Sequence, residues 1–293
     1  MITAWALAWA AALFCLCLPP PAQAASEVYP GSFEAASPGT RIASLYYYRR
    51  SLEGYYVNGT RIGGARVEGQ AVVAAFSVYG RLFDMTSSWS VHLPYLQGHR
   101  TAGVLPAGFG NETSGVGDLR IGYTVWPVND RETGQWLAVS GTLLTPTGHY
   151  DHSQSLNSGD RRWKGTLQLA WVRYLSPTVA AELIPEVTFY GTNGNYVGYR
   201  MTQAPAAALT TFLRWKFTPG WETQVGYQFN TGGEQTIGGV RQGNEPRNRR
   251  VFLGVSTWLS PTVKAGLRYS RDTSLNYEMK TTRDLVASVN WGF

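Results

Sequence analysis

The stretch Trp221–Thr231, WETQVGYQFNT, sets its apolar side chains at every second position. Trp221, Thr223, Val225, Tyr227 and Phe229 share one face, while Glu222, Gln224, Gly226, Gln228 and Asn230 take the other. Period two is the mark of a β-strand whose faces meet two different environments. The pattern returns in Val263–Arg271 (VKAGLRYSR), where Val263, Ala265, Leu267 and Tyr269 oppose Lys264, Gly266, Arg268 and Ser270. It returns again in Asp284–Phe293 (DLVASVNWGF), with Val286 as its exception.

Working outward from these segments gives twelve expected strands. They lie near 40–51, 68–81, 87–96, 116–126, 135–146, 163–175, 178–191, 204–217, 220–231, 248–258, 262–272 and 282–293. Five connections are tight: FDMTSS, WPVNDRETG, LSPT, FTPG and LSPT again, the last from the exact repeat Leu175–Val179 and Leu259–Val263. The alternate six are longer and rich in Gly, Asn and Arg, including the connection between the first two strands. Short and long connections in strict alternation define the expected fold class. It is an all-β transmembrane antiparallel β-barrel of about 12 strands, with short periplasmic turns and longer outer loops. An even strand number places both termini on the periplasmic side.

The amino terminus agrees. MITAWALAWAAALFCLCLPPPAQA (1–24) has an apolar run, a proline break and a small-x-small site at Ala22-Gln23-Ala24, the pattern of a cleaved signal peptide. Residues 25–38 then form a short periplasmic tail, able to tuck into a barrel spanning 39–293 but too short for a complete plug. Both cysteines fall in the leader, so an exported chain without disulfides is expected. No later segment approaches the roughly 20 apolar residues of a membrane helix. Yet 44% of the chain is hydrophobic and only 15% charged, which suits strands with one face in lipid. Trp89, Trp126, Trp136, Trp215, Trp221, Trp258 and Trp291 fall beside the short turns, where an aromatic girdle would sit at the inner headgroups. The terminal Phe293 resembles the C-terminal signal read by barrel-assembly machinery. The expected location is the outer membrane of a Gram-negative cell.

A twelve-stranded lumen lies between small barrels filled by side chains and large water-filled ones, so small solutes at most would pass. The polar faces direct Asp118, Arg120, Glu182, Glu186, Arg214, Lys216, Glu222, Lys264, Arg268 and Asp284 inward. Either these charges pair and fill the wall, or unpaired cations among them favour anionic or electron-rich solutes. The net charge of +6 rests on arginine, much of it in the outer loops, including Arg161, Arg162, Arg249 and Arg250. Guanidinium forks there suit lipopolysaccharide phosphates, and no nucleic-acid partner is expected. Capture of anionic solutes by the same rim is the alternative.

The loop LLTPTGHYDHSQSLNSGDRRW (Leu143–Trp163) concentrates polar residues. His149 and His152 bracket Asp151, but without cysteine they fall short of a structural zinc set, and no metal is expected. His152, Asp151 and Ser153 are neighbours in sequence, and a triad is defined by geometry. The favoured reading is a constriction loop at the barrel mouth, with turn chemistry at Pro146-Thr147-Gly148 and Asn157-Ser158-Gly159. Its candidate contacts are Pro146, Gly148, His149, Tyr150, Asp151, Asn157, Arg161 and Trp163. Asp118 and Arg120 would lie beneath it.

Five segments, GVGDLRIGY (Gly115–Tyr123), LLTPTGHYD (Leu143–Asp151), NSGDRRW (Asn157–Trp163), TNGNY (Thr192–Tyr196) and GGEQTIGG (Gly232–Gly239), carry a resemblance. In content and order they resemble the family of outer-membrane transporters associated with the meta-cleavage pathway of phenol degradation. An acidic residue often follows the Pro-Thr-Gly turn in that family, whereas His149 stands there in this chain. The resemblance implies a barrel, distantly akin to long-chain fatty-acid transporters, that passes aromatic or other hydrophobic small molecules. It brings no catalytic residue and no cofactor. An outer-membrane lipid hydrolase and a closed structural or adhesive barrel are the competing readings.

Overall fold

The computed structural model describes residues 27–102, 111–154 and 156–293; the expected leader, 1–24, lies outside them. The first wall strands are β1 (Arg41–Val57), β2 (Thr60–Leu82), β3 (Met85–Ala102), β4 (Glu112–Val116), β5 (Arg120–Asp130), β6 (Gln135–Leu144), β7 (Lys164–Ser176) and β8 (Val179–Tyr190). Two short strands, β9 (Asn193–Tyr196) and β10 (Tyr199–Gln203), precede β11 (Ala206–Thr218) and β12 (Trp221–Gly232). Two more, β13 (Gln235–Ile237) and β14 (Val240–Arg241), precede β15 (Arg247–Ser260), β16 (Val263–Ser274) and β17 (Glu278–Gly292).

Each long strand pairs antiparallel with its neighbours in sequence, and β17 returns to β1. The sheet therefore closes, with no edge left to pair with another chain. β4 and β5 occupy successive stretches of one strand position beside β3, so the wall is a closed 12-strand antiparallel barrel.

The two LSPT repeats make the same turn. The Ser176 hydroxyl accepts from Val179 N at 3.1 Å, and the Ser260 hydroxyl accepts from Val263 N at 3.1 Å. Proline in each supplies a fixed φ and removes an amide that no strand partner needs. At the opposite end one expectation is overturned. β1 and β2 are not joined by a long loop: they run on for 17 and 23 residues and meet at Asn58-Gly59. Both turn residues have positive φ, 49° and 76°, the conformation an Asn-Gly hairpin favours. About 9–11 residues cross a bilayer, so much of this hairpin projects beyond it. β9, β10, β13 and β14 pair into a second small sheet built from segments expected to be loops.

The outward faces carry Leu45, Val72, Phe76, Leu93, Leu167, Leu213, Leu253, Leu267 and Val289, all exposed. So many large apolar groups in one continuous band belong in lipid, since soluble surfaces rarely expose patches above a few hundred Å². Trp89, Trp215, Trp221, Trp258 and Trp291 are exposed on this side, as a girdle requires. Trp126 and Trp136 are corrections: both are buried on the inner face. Trp126 Nε1 donates to Phe33 O at 2.8 Å, and Trp136 Nε1 donates to Asn129 Oδ1 at 2.8 Å.

Those two indoles belong to an apolar core inside the lumen. Val28, Phe33 and Ala35 of the N-terminal tail pack with Trp126, Trp136, Val172, Ile184, Phe212 and Phe252 of the wall. The inner face is apolar where the tail lies against it, which is a local break in the alternation.

Candidate functional site

Two chain segments cross the lumen, one from each end. Near the termini the tail turns at Tyr29-Pro30-Gly31-Ser32, with Ser32 N donating to Tyr29 O at 3.1 Å and Gly31 at φ 79°. Proline followed by a positive-φ glycine is the type II pattern. A buried turn must find partners for its backbone, and wall side chains supply them. Gly31 N donates to Glu182 Oε1 at 2.8 Å, Arg268 donates to Val28 O at 2.7 Å, and Arg131 donates to Ala35 O at 2.7 Å.

Charge fixes the same segment at two points. Arg214 is nearly fully buried and pairs with Glu34 of the tail, with Glu182 at 2.5 Å and with Glu222 at 3.0 Å. Glu27 bridges Arg50 and Arg268, each at 2.8 Å. Burial opposes the charge on Glu27, but Arg268 and Arg50 hold its carboxyl well below the usual carboxylate range. Tyr29 stacks on Tyr46 at 4.7 Å and hydrogen-bonds Tyr48.

At the other end the loop between β6 and β7 reaches across the mouth. Leu156 is buried against Leu52 of β1, Val67 of β2 and Met279 of β17, on the far wall. The anchor of this loop is Asp118, which sits between β4 and β5. Its Oδ1 accepts from Gly148 N and its Oδ2 from Asp160 N, each at 2.8 Å, so one carboxylate holds both ends of the loop. Burial and the neighbouring Asp160 charge push the Asp118 carboxyl up, against the two amides that favour its ionised form. Thr147 Oγ1 accepts from Leu119 N at 3.1 Å, and His149 N donates to Val116 O at 2.9 Å.

Glycine is required here by contact. A Cβ on Gly148 would lie 2.7 Å from Asp118 N, and one on Gly159 would lie 2.6 Å from the Gly148 carbonyl carbon. Asp160 ties the loop to the wall, with Lys164 Nζ at 2.6 Å and Arg162 Nε at 2.9 Å. Burial opposes its charge as well, yet Lys164 and Arg162 hold it well below the ordinary aspartate value. Asn193 Nδ2 donates to Asp160 O at 3.2 Å, and Tyr150 OH donates to Asn195 O at 3.1 Å. β13 then pairs with β10, and β10 with β9. The five sequence segments GVGDLRIGY, LLTPTGHYD, NSGDRRW, TNGNY and GGEQTIGG thus form one connected assembly at the mouth.

The inward residues read from sequence divide three ways. Glu182, Arg214, Glu222, Arg268 and Asp284 are buried in ion pairs of the lower and middle lumen. Glu186 is buried and accepts from Gln168 Nε2 at 2.6 Å. Arg120 lies in register between His92 and Leu144, half-buried below the loop. Lys216 and Lys264 stand near the turn end. Lys216 is exposed over the Tyr174 ring at 4.3 Å, and Lys264 lies 3.9 Å from Glu222.

In the loop, Gly148, Tyr150, Asp151 and Asn157 are half-buried, and Asn157 Oδ1 accepts from Asp151 N at 2.7 Å. Pro146, His149, Arg161 and Trp163 have exposed side chains, and Arg161 lies over Tyr150 at 5.8 Å. Leu156 and Arg162, both buried, were not among the mouth contacts expected from sequence. An apolar residue amid HSQSLNS is a signal for the first; nothing local separates Arg162 from Arg161.

The neighbours Asp151, His152 and Ser153 do not assemble a nucleophile–base pair. Ser153 Oγ donates to Asp151 Oδ1 at 2.7 Å, and His152 Nδ1 lies 3.9 Å from the same oxygen. A serine bonded to a carboxylate, with the imidazole beyond it, lacks the serine-to-histidine order of a triad.

This architecture has known counterparts. An outer membrane channel from Pseudomonas putida F1 superposes with a TM-score of 0.86 at 25% identity, over 91% of this chain and 100% of that one. The beta domain of the Bordetella autotransporter BrkA is 14% identical, with a TM-score of 0.52 over 87% of this chain and 100% of its own. It shares the barrel fold alone. No curated protein matches the chain. A family model matches residues 48–279, the whole span from β1 to the start of β17. The chain is a β-barrel of the Gram-negative outer membrane and belongs to the family described as "Putative MetA-pathway of phenol degradation".

Proposed function

We propose that the protein is a passive channel for uptake of small hydrophobic or aromatic compounds. The observation that carries this reading is the loop from Pro146 to Arg162, clamped by Asp118 and laid across the mouth to Leu52, Val67 and Met279. A barrel serving only as a scaffold has no need of a built constriction, whereas a selective pore does. The P. putida neighbour is itself an outer membrane channel, and the family is described by phenol degradation, which supports an aromatic solute.

Occlusion at both ends favours a second reading, a closed barrel with a structural or adhesive role. The test is flux into liposomes holding the folded protein, comparing a small aromatic acid, a neutral phenol and a sugar of similar size, with empty liposomes as background. Selective aromatic flux supports the channel. Equal flux of all three means a general pore, and none above background means a closed barrel. A serine-reactive phosphonate tests hydrolysis independently, since only an activated Ser153 would be labelled.

The partners follow from the same placement. The exposed apolar band suits outer-membrane lipid, and the exposed Arg247 and Arg249 suit lipopolysaccharide phosphates. Phe293 is the assembly signal: its amide and carbonyl pair with Arg41 at 2.9 Å while its ring stays exposed.

A further inference from the structure

Arg162 is one residue from an exposed arginine, yet its own side chain is 0% exposed. It precedes Lys164, whose side chain faces the lumen, by two positions, and its guanidinium carbon lies 4.9 Å from the centre of the Tyr190 ring. Asp160 engages only the Nε edge, at 2.9 Å. The two terminal nitrogens have no hydrogen-bond partner among the described residues, and neither does the hydroxyl of Tyr190, over whose ring the guanidinium lies.

Wall-filling does not account for this arrangement. Elsewhere in the lumen, buried arginines are taken up by carboxylates: Arg50 by Glu27 and Asp284, Arg214 by Glu34, Glu182 and Glu222. Buried charged donors are nearly always hydrogen-bonded, so a fixed guanidinium with two free nitrogens marks a place for an acceptor. Stacking on Tyr190 holds the fork flat, and the Asp160 contact fixes its rotation. The sign of the site suits an anion, because Arg162 and Lys164 share the single carboxylate of Asp160.

We propose that Arg162, backed by Tyr190 and Lys164, is a binding site in the channel mouth for the carboxylate of a small aromatic acid. This deepens the channel reading and rests on it, naming the solute class that the constriction selects. The carboxylate docks end-on to the two free guanidinium nitrogens, reached when the stretch between the two Asp118 anchors, residues 149–159, lifts while Asp160 stays in place. Glu186, deeper on β8 than Tyr190, accepts from Gln168. Its carboxylate weakens the hold on an anion, as a transport site requires if its cargo is to leave.

The test separates binding from passage. Benzoate binding to the purified barrel in detergent is read by saturation-transfer NMR, and benzoate and phenol flux are read in liposomes. The proteins are wild type, Arg162→Gln, Arg162→Lys and, as a control, the exposed Arg200→Gln of β10, each checked for the folded gel mobility of a barrel. The expected result is benzoate binding that Arg162→Gln abolishes and Arg200→Gln leaves intact, with benzoate flux in Arg162→Gln lowered at least tenfold and phenol flux within twofold. Arg162→Lys, which keeps the charge but not the fork, should fall between, and it carries the test if Arg162→Gln does not fold. Absence of benzoate binding to wild type, or equal loss of benzoate and phenol flux in Arg162→Gln, overturns the site. Arg162-dependent binding with no flux of either solute leaves the site standing and sinks the channel reading instead.

Discussion

Asp118 and Asp160 are joined through a backbone amide: Asp160 N donates to the Asp118 carboxylate at 2.8 Å, 42 residues along the chain. The same carboxylate holds Gly148, so the entry and exit of the mouth loop are gathered on one side chain. Asp118→Ala removes the shared carboxylate acceptor of two partly buried amides, at a cost of about 1.5–3 kcal/mol for each hydrogen bond to a charged group. The barrel should survive, because its ladder is untouched. The loop should open, seen as protease cleavage within 146–162 that wild type resists. Equal resistance in both proteins would remove Asp118 from the role of clamp.

Gly148 and Gly159 face each other with no room for a methyl group. Gly159→Ala should cost about 1–3 kcal/mol through overpacking, and it should loosen the loop in the same protease assay. Gly165→Ala is the control, since a Cβ there would meet nothing within 4 Å. It should behave as wild type.

Shortening the loop by deleting 149–159 takes Leu156 off Leu52, Val67 and Met279. Single-channel conductance should rise. Unchanged conductance would mean that the narrowest point lies at the tail and not at the mouth.

The tail is the second constriction, held through Arg214 and Glu34. Arg214→Met strands the buried carboxylates of Glu182 and Glu222 and should cost about 3–5 kcal/mol, read as a lower unfolding midpoint in urea. The single change Glu34→Gln removes a tail charge while Arg214 keeps Glu182 and Glu222. It should leave the wall stable and raise conductance, and a stable barrel with wild-type conductance would show that Glu27 and the apolar contacts of Val28 and Phe33 suffice.

Acid should loosen the mouth only well below neutral pH. The folded Asp160 carboxyl lies below its ordinary value near 3.8, so its ion pairs contribute stability above that value and lose it as pH falls through the folded one. Conductance attributable to loop opening should therefore stay constant from neutral pH to about 4 and increase only below it. An Asp160→Asn barrel should show the open-loop conductance at neutral pH, without the acid step.

Phe293→Ala leaves the β1 pairing available through the backbone but removes the exposed ring. Slower appearance of folded barrel in the membrane, with normal stability once folded, is the expected outcome; normal kinetics would argue against an assembly signal.

Strand membership was legible because lipid and lumen impose opposite demands on alternate residues. Trp221, Val225 and Phe229 repeat that contrast in a window of a few residues, and the LSPT turns close each hairpin locally. Closure followed from the same pattern, since a lone apolar-faced sheet cannot end in lipid. The Asn58-Gly59 hairpin was also written locally, but the surrounding glycines and arginines resemble loop composition. Beyond the bilayer no lipid face enforces alternation, so the strand ends there carried no pattern to read.

The sequence by itself determined the period-two wall and its inward-facing charges, because each depends on neighbours two positions apart; the apolar lining beneath the tail broke that pattern. It did not determine which lumen charges pair. Arg214 meets Glu34 across 180 residues and Arg268 meets Glu27 across 241. Nor did it separate Arg162 from Arg161, since a single step along the backbone turns one guanidinium into the lumen and leaves the other in solvent. Those choices were made by the closed barrel, which brings distant strands to face one another and leaves the crossing tail and loop to decide which charges are covered.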